Sequence, residues 1–280
     1  MCSVSDADGA GERQHAPKKS LGQHFLVDPN LQRKIVDALE PRPEDEVLEI
    51  GAGTGALTRH LVGRVRRLRV VELDDELAAA LRDELGGRGD VEVIHADVLE
   101  VPPERLACGE GLKIIGNIPY GITSPLLFHL LEIQPRPERI VLTVQKEVAE
   151  RLAAEPGSKR YGALTVGVRA VASVEILFDL SRHAFRPRPD VASATVRVVP
   201  QSPAPLTPKD ESDLRRLTRA AFSRRRKQLQ KVLRQAAEYG LDAAEARALL
   251  ESLGIDPATR PDALPVADYV RLAARLEARR

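Results

Sequence analysis

Gly116-Asn117-Ile118-Pro119-Tyr120 places an amide, a proline and an aromatic ring at consecutive positions after an apolar run. This set suits methyl transfer to an amine conjugated with an aromatic base. Such an amine is a poor nucleophile, because its lone pair is delocalised into the ring. The Asn117 side-chain oxygen and the Ile118 carbonyl can accept its two N–H protons, and Tyr120, beyond Pro119, can stack on the base. Those hydrogen bonds pull the nitrogen toward sp3 geometry and free the lone pair. No strong general base is needed, since the proton becomes acidic only after the methyl arrives. The plain alternative is a turn without a ligand.

A second constellation is Glu49-Ile50-Gly51-Ala52-Gly53-Thr54-Gly55-Ala56, between a strand pattern and a helix pattern. Gly51 and Gly53 let a ligand approach the backbone closely. The segment fits G-x-G-x-x-G/A with Ala56 last, and Glu72 follows Gly51 by 21 residues, where a carboxylate can accept both hydroxyl protons of a ribose. These two features alone fit a nicotinamide enzyme as well as an S-adenosylmethionine enzyme. Asp97 lies just past the third strand and can accept from an exocyclic adenine amine, or can simply cap its own turn.

The elements that must hold these groups follow from the apolar pattern. Strands are expected at Val47–Ile50, Leu68–Val71, Val91–Ile94, Leu112–Ile115 and Ile140–Val144, apolar on both faces. Helical patterns run from Asp28-Pro29 to Leu39, Leu57 to Val62, Glu76 to Leu85 and Ser124 to Leu131. Val174–Leu180 and Ala194–Val199 add two strands with no helix between them, joined by the Pro-rich Phe185–Pro189 linker. The expected fold is α/β: a seven-stranded, mostly parallel, Rossmann-like sheet with helices on both faces. Its strand ends bring Gly51, Glu72, Asp97 and Asn117 to one edge. Four prolines between 200 and 208 mark a linker, followed by helical patterns alone: Lys209–Phe222, Lys227–Ala237, Ala243–Leu253 and Val266–Glu277. The expected division is a disordered tail at 1–17, a sheet domain at 18–204 and a small all-α domain at 205–280.

The net charge of +1 over 280 residues conceals an asymmetry. Residues 205–280 carry 16 Lys/Arg against 11 Asp/Glu, and the remainder carries 26 against 30. Arg215 to Arg234 holds nine cations and no acid, densest at Arg224-Arg225-Arg226-Lys227. That stretch reads as a phosphate-binding surface, which Arg186 and Arg188 extend toward the site; the plain alternative is a solvated helix face. Two cysteines, Cys2 and Cys108, make no disulfide framework and indicate a reducing compartment. No apolar run approaches the ~18 residues of a membrane span, and the polar, acidic first residues do not read as a secretory signal. His60, His129 and His183 lack metal-ligand spacing with the cysteines, so no metal site is expected.

The chain resembles the rRNA adenine N6-methyltransferase family, within it the bacterial small-subunit adenine dimethyltransferases. The resemblance runs from about Lys18 to the C-terminus. It is carried by Lys19–Leu26, Glu49–Thr58, Val71–Asp74, Gly116–Tyr120 with Ser124–Leu126, Gln145–Val148 and Phe185–Val191. In the helical part it is carried by Arg225–Leu229 and Leu253–Pro257 with Arg260-Pro261. The resemblance implies a class I methyltransferase domain, S-adenosylmethionine as donor, and adenine N6 in rRNA as acceptor. It further implies dimethylation of two adjacent adenosines near the 3′ end of 16S rRNA. Cofactor contacts are implied at His24, Leu26, Gly51, Gly53, Glu72, Asp97 and Asn117, with His24 standing where Asn is usual. Phe25 could pack on the cofactor or close the site. Phe185 is implied as a second aromatic wall for a flipped adenine, opposite Tyr120; the alternative is a hydrophobic anchor for its loop. The implied partner is 16S rRNA in an immature small subunit, met in the cytoplasm by a monomer. Competing readings are a large-subunit rRNA adenine methyltransferase, an assembly factor acting by binding, and, least fitting, a dehydrogenase.

Overall fold

Val47 and Leu48 point to opposite faces of one strand and are both fully buried. That single pair already requires helices on each side of the sheet. The computed structural model describes residues 22–278. The expected tail at 1–17 and the residues to Leu21 lie outside the described residues.

In chain order the elements are β1 (Phe25–Leu26), α1 (Pro29–Ala38), β2 (Glu46–Ile50), α2 (Thr58–Leu61), β3 (Arg67–Glu72), α3 (Asp75–Leu85) and β4 (Val91–His95). Next come α4 (Pro103–Leu106), β5 (Lys113–Asn117), α5 (Thr123–Leu131), β6 (Arg139–Gln145), α6 (Lys146–Leu152), α7 (Ala163–Arg169) and β7 (Ala172–Leu180). The chain ends with β8 (Phe185–Arg186), β9 (Ser193–Pro200), α8 (Pro208–Ser223), α9 (Leu229–Gln235), α10 (Ala243–Ser252) and α11 (Val266–Glu277). The start of α1 is set as its sequence requires: Asp28 accepts from the N–H groups of Asn30 and Leu31, with Pro29 in the first turn.

The seven-stranded sheet has the order β4-β3-β2-β5-β6-β9-β7. The first five strands are parallel, and β9 runs antiparallel to both its neighbours. The strand order reverses between β2 and β5, which opens a crevice at their carboxyl ends. Gly116 permits that junction, since a Cβ there would sit 2.6 Å from the Ile50 carbonyl oxygen. One face buries Val47, Val70, Ile115 and Val141 against Ile35 and Val36 of α1 and Leu39 just after it. The other buries Leu48, Ile114 and Leu142, and this cluster continues into Leu214, Leu217 and Leu272 of the helical part. A largely buried Arg136–Glu211 ion pair and a 2.8 Å hydrogen bond from the Tyr161 hydroxyl to the Leu264 carbonyl cross the same junction. No helix among the described residues is long and apolar enough to cross a membrane.

Three features depart from the sequence expectation. Helices α4, α6 and α7 (103–106, 146–152 and 163–169) stand where the apolar pattern predicts no element. Residues Phe185–Arg186 are not loop but a strand, β8, paired antiparallel with β1. The expected helix at Lys227–Ala237 is shorter, Leu229–Gln235.

Candidate active site

The glycine-rich turn after β2 is the floor of the site. Gly51 and Gly53 both adopt the left-handed backbone, with φ of 67° and 58°. A Cβ on Gly53 would meet the Phe25 ring at 3.0 Å, so this glycine also lets the β1 segment lie directly over the turn. The Gly53 N–H donates to one Glu72 oxygen at 2.8 Å, and the Asp74 N–H donates to the other at 2.9 Å. Glu72 is thereby fixed at the end of β3, 5% exposed, with a lone pair left on each oxygen. Asp97 accepts from the Leu99 N–H through one oxygen at 2.9 Å. It caps its own turn, and the same residue lines the cleft.

Asn117 ends β5. Its Nδ2 donates to the His24 backbone carbonyl at 2.9 Å. Ile118 is anchored by its N–H to the Thr143 carbonyl at 3.1 Å. The Tyr120 hydroxyl is hydrogen-bonded to Ser193 Oγ at 2.7 Å, which holds the half-buried ring by its far end. Burial pushes the Tyr120 phenol up, so it stays neutral. The His24 ring is stacked on Tyr120, with centroids 5.5 Å apart and planes at 29°. His24 Nδ1 lies 2.8 Å from the Pro187 carbonyl.

One cleft, with about 990 Å3 of space partly open to solvent, gathers these groups. His24, Leu26, Gly51, Gly53, Glu72 and Asp97 line it, as do Asn117, Ile118, Pro119 and Tyr120. The segment 22–27 straps across it. Gln23 reaches Asp74, the Leu26 carbonyl accepts from Gln32 Nε2, and the Val27 N–H donates to the Ala184 carbonyl.

Phe185 does not join them. Expected as a second aromatic wall, it is 1% exposed and packs in the core beside Leu26, Leu180 and Ala184. The cause is strand alternation: within β8, Phe185 points inward and Arg186 outward. Arg225 is likewise not free. Its guanidinium pairs with Asp262 and donates to the Ser158 and Lys159 carbonyls, stapling the helical part to the sheet part. Arg224, Arg226 and Lys227 are exposed and form no ion pair among the described residues, and Arg186 and Arg188 are exposed on the β8 side.

Three contributors escape the sequence reading. Ser193 and the Pro187 carbonyl come from distant segments and carry no local signal. Glu49 is visible within the glycine motif, yet its setting is not. It lines the cleft, is 1% exposed, and neither carboxyl oxygen has a hydrogen-bond partner. Burial pushes its carboxyl up to about 7, the neighbouring Thr58 opposes the shift, and the charge of Glu72 adds to it. Among the described residues no group of three or more His, Cys, Asp or Glu is arranged to hold a metal.

Sheet order, glycine turn and Glu72 together define a class I, Rossmann-like methyltransferase. Residues 14–278 match the model of the ribosomal RNA adenine dimethylase family, and the chain belongs to that family. It is 40% identical over 266 residues to the ribosomal RNA small subunit methyltransferase A of Acinetobacter baylyi, covering 95% of this chain and 94% of that one. The protein of the same name from Aromatoleum aromaticum is 42% identical over 266 residues, 95% and 96% of the two chains. Among solved structures, a dimethyladenosine transferase from Plasmodium falciparum superposes with a TM-score of 0.77 at 28% identity, covering 89% of this chain and 96% of that one. The 23S rRNA methyltransferase ErmE superposes with a TM-score of 0.67 at 28% identity, covering 90% and 99%.

Proposed function

We propose that this protein transfers methyl groups from S-adenosylmethionine to adenine N6 in small-subunit rRNA. The targets are two adjacent adenosines near the 3′ end of 16S rRNA, each methylated twice, in an immature small subunit. The observation that carries this reading is the Asn117 amide. A carbonyl only accepts, so its contact with the His24 carbonyl puts the NH2 end there and leaves the oxygen as a free acceptor. An acceptor beside an aromatic ring suits an amine on a flat base.

The residues present fit the cofactor. Gly51 and Gly53 give close approach to the backbone, Glu72 retains acceptor capacity for ribose hydroxyls, and Asp97 retains a free oxygen for the adenine amine. His24, Leu26 and Asn117 complete the wall. When bound, the cofactor supplies an electrophilic methyl on a sulfonium. The protein's own part is to hold the amine, favour its sp3 form through Asn117 Oδ1 and the Ile118 carbonyl, and support the extruded base on Tyr120. Residues 205–280 form the proposed RNA-binding part, with exposed Arg224, Arg226 and Lys227, and Arg186 and Arg188 beside β8, as phosphate contacts. The proposed enzyme is a cytoplasmic monomer.

Incubating the protein and labelled cofactor with under-methylated small and large subunits tests the reading. Label is expected in small-subunit rRNA as dimethyladenosine. Label confined to large subunits would assign the chain the target named for its ErmE structural relative.

A further inference from the structure

The proposed base shelf is already covered. The His24 imidazole lies on Tyr120 with centroids 5.5 Å apart. Two contacts hold it there: Nδ1 against the Pro187 carbonyl at 2.8 Å, and the residue's own carbonyl accepting from Asn117 at 2.9 Å. His24, Asn117 and Tyr120 line the same cleft, so the imidazole stacks on Tyr120 within the proposed base site. A base sandwiched between the two rings would need about 7 Å, twice an ordinary contact distance. The observed spacing leaves no room for one. Phe185, buried in the core, offers no second wall. His24 is a flat aromatic ring with nitrogen at its edge, a small counterpart of a purine.

We propose that His24 is a placeholder: its ring occupies the Tyr120 face that the target adenine takes, and the base enters by displacing it. The inference rests on the reading of Tyr120 as the base shelf. His24 is a positioning residue in this role. It keeps the aromatic face covered and the Asn117 amide oriented until a base arrives, and it makes base entry a competition. A base that also engages the Asn117 acceptor and the RNA-binding surface displaces it far more readily than one that only stacks, so unspecific stacking of single-stranded RNA is disfavoured.

The test uses the full chain without cofactor and a single-stranded RNA carrying one 2-aminopurine among uridines. Base stacking quenches its fluorescence, and the absence of Trp from the chain keeps the background low. His24→Ala, and His24→Asn, which removes the ring while keeping a donor for Pro187, are each expected to tighten capture by about two- to tenfold. The same His24 substitutions on a Tyr120→Leu background are expected to change nothing, and Tyr120→Leu alone is expected to weaken capture. Unchanged or weaker capture in the His24 variants, with Tyr120→Leu still harmful, would overturn the placeholder and leave the shelf standing. If Tyr120→Leu leaves capture unaltered in every background, the shelf reading and the placeholder fall together.

Discussion

The Nδ2 of Asn117 donates to the main-chain carbonyl of His24, a residue 93 positions earlier, across 2.9 Å. This bond decides which end of the amide faces the cleft. Asn117→Ala is therefore expected to lower the rate of methyl transfer by about a hundredfold or more, the scale of a lost oriented hydrogen-bonding group. Cofactor affinity should change far less. Single-turnover transfer and calorimetric cofactor binding on the same variant separate the two, and equal losses would make Asn117 chiefly a cofactor ligand.

Much of this site is legible in the sequence because it is built from strand ends. An apolar run stopped by a glycine or an acid marks both the strand and its functional edge, as at Ile50-Gly51, Val71-Glu72 and Ile115-Gly116-Asn117. What stays hidden are contacts made across the chain by short segments. The pair β1 and β8 has two residues on each side, too few for a period to show. That pairing turns Phe185 into the core and brings the Pro187 carbonyl to His24. Arg225 sits in a run of cations that reads as one surface, yet its acid, Asp262, arrives from another turn of the helical part.

Gly116 is expected to be intolerant for a reason other than backbone freedom. A Cβ there would lie 2.6 Å from the Ile50 oxygen and 2.7 Å from Ile118 Cδ1. The first neighbour is main chain and cannot yield without parting β2 from β5. Gly116→Ala should cost about 1–3 kcal/mol in denaturant unfolding and lower transfer beyond that, since Asn117 is the next residue. Wild-type stability and activity would show that the strands accommodate the methyl.

The basic run should divide by role. Arg224→Ala, Arg226→Ala and Lys227→Ala are each expected to weaken binding of rRNA fragments and to reduce the log–log salt slope by about 0.7–0.9, with stability unchanged. Arg225→Ala removes a staple to Ser158, Lys159 and Asp262. It should lower unfolding free energy by about 1–3 kcal/mol. Salt-dependent binding and chemical denaturation on the four variants check the split, and a salt-slope change for Arg225→Ala with no loss of stability would reverse its assignment.

Glu49 predicts a pH dependence whose sign follows from its surroundings. On β2 it is flanked by Val70 of β3 and Ile115 of β5, with Thr58 of α2 nearby and Glu72 as the charge acting on it. Its carboxyl is raised to about 7 in the fold, from the ordinary glutamate value of 4.5 that the unfolded chain keeps. The folded state therefore binds the proton more tightly than the unfolded state. The stabilisation is complete below about pH 4.5 and is lost as the pH rises through about 7, a difference of about 3 kcal/mol. Glu49→Gln, which keeps the shape and cannot ionise, should remove this dependence. Relative to wild type, the variant should gain up to about 3 kcal/mol between pH 5 and pH 8 in cofactor-free denaturant titrations. A stability difference that stays constant across that range would mean that Glu49 ionises freely in the cofactor-free cleft.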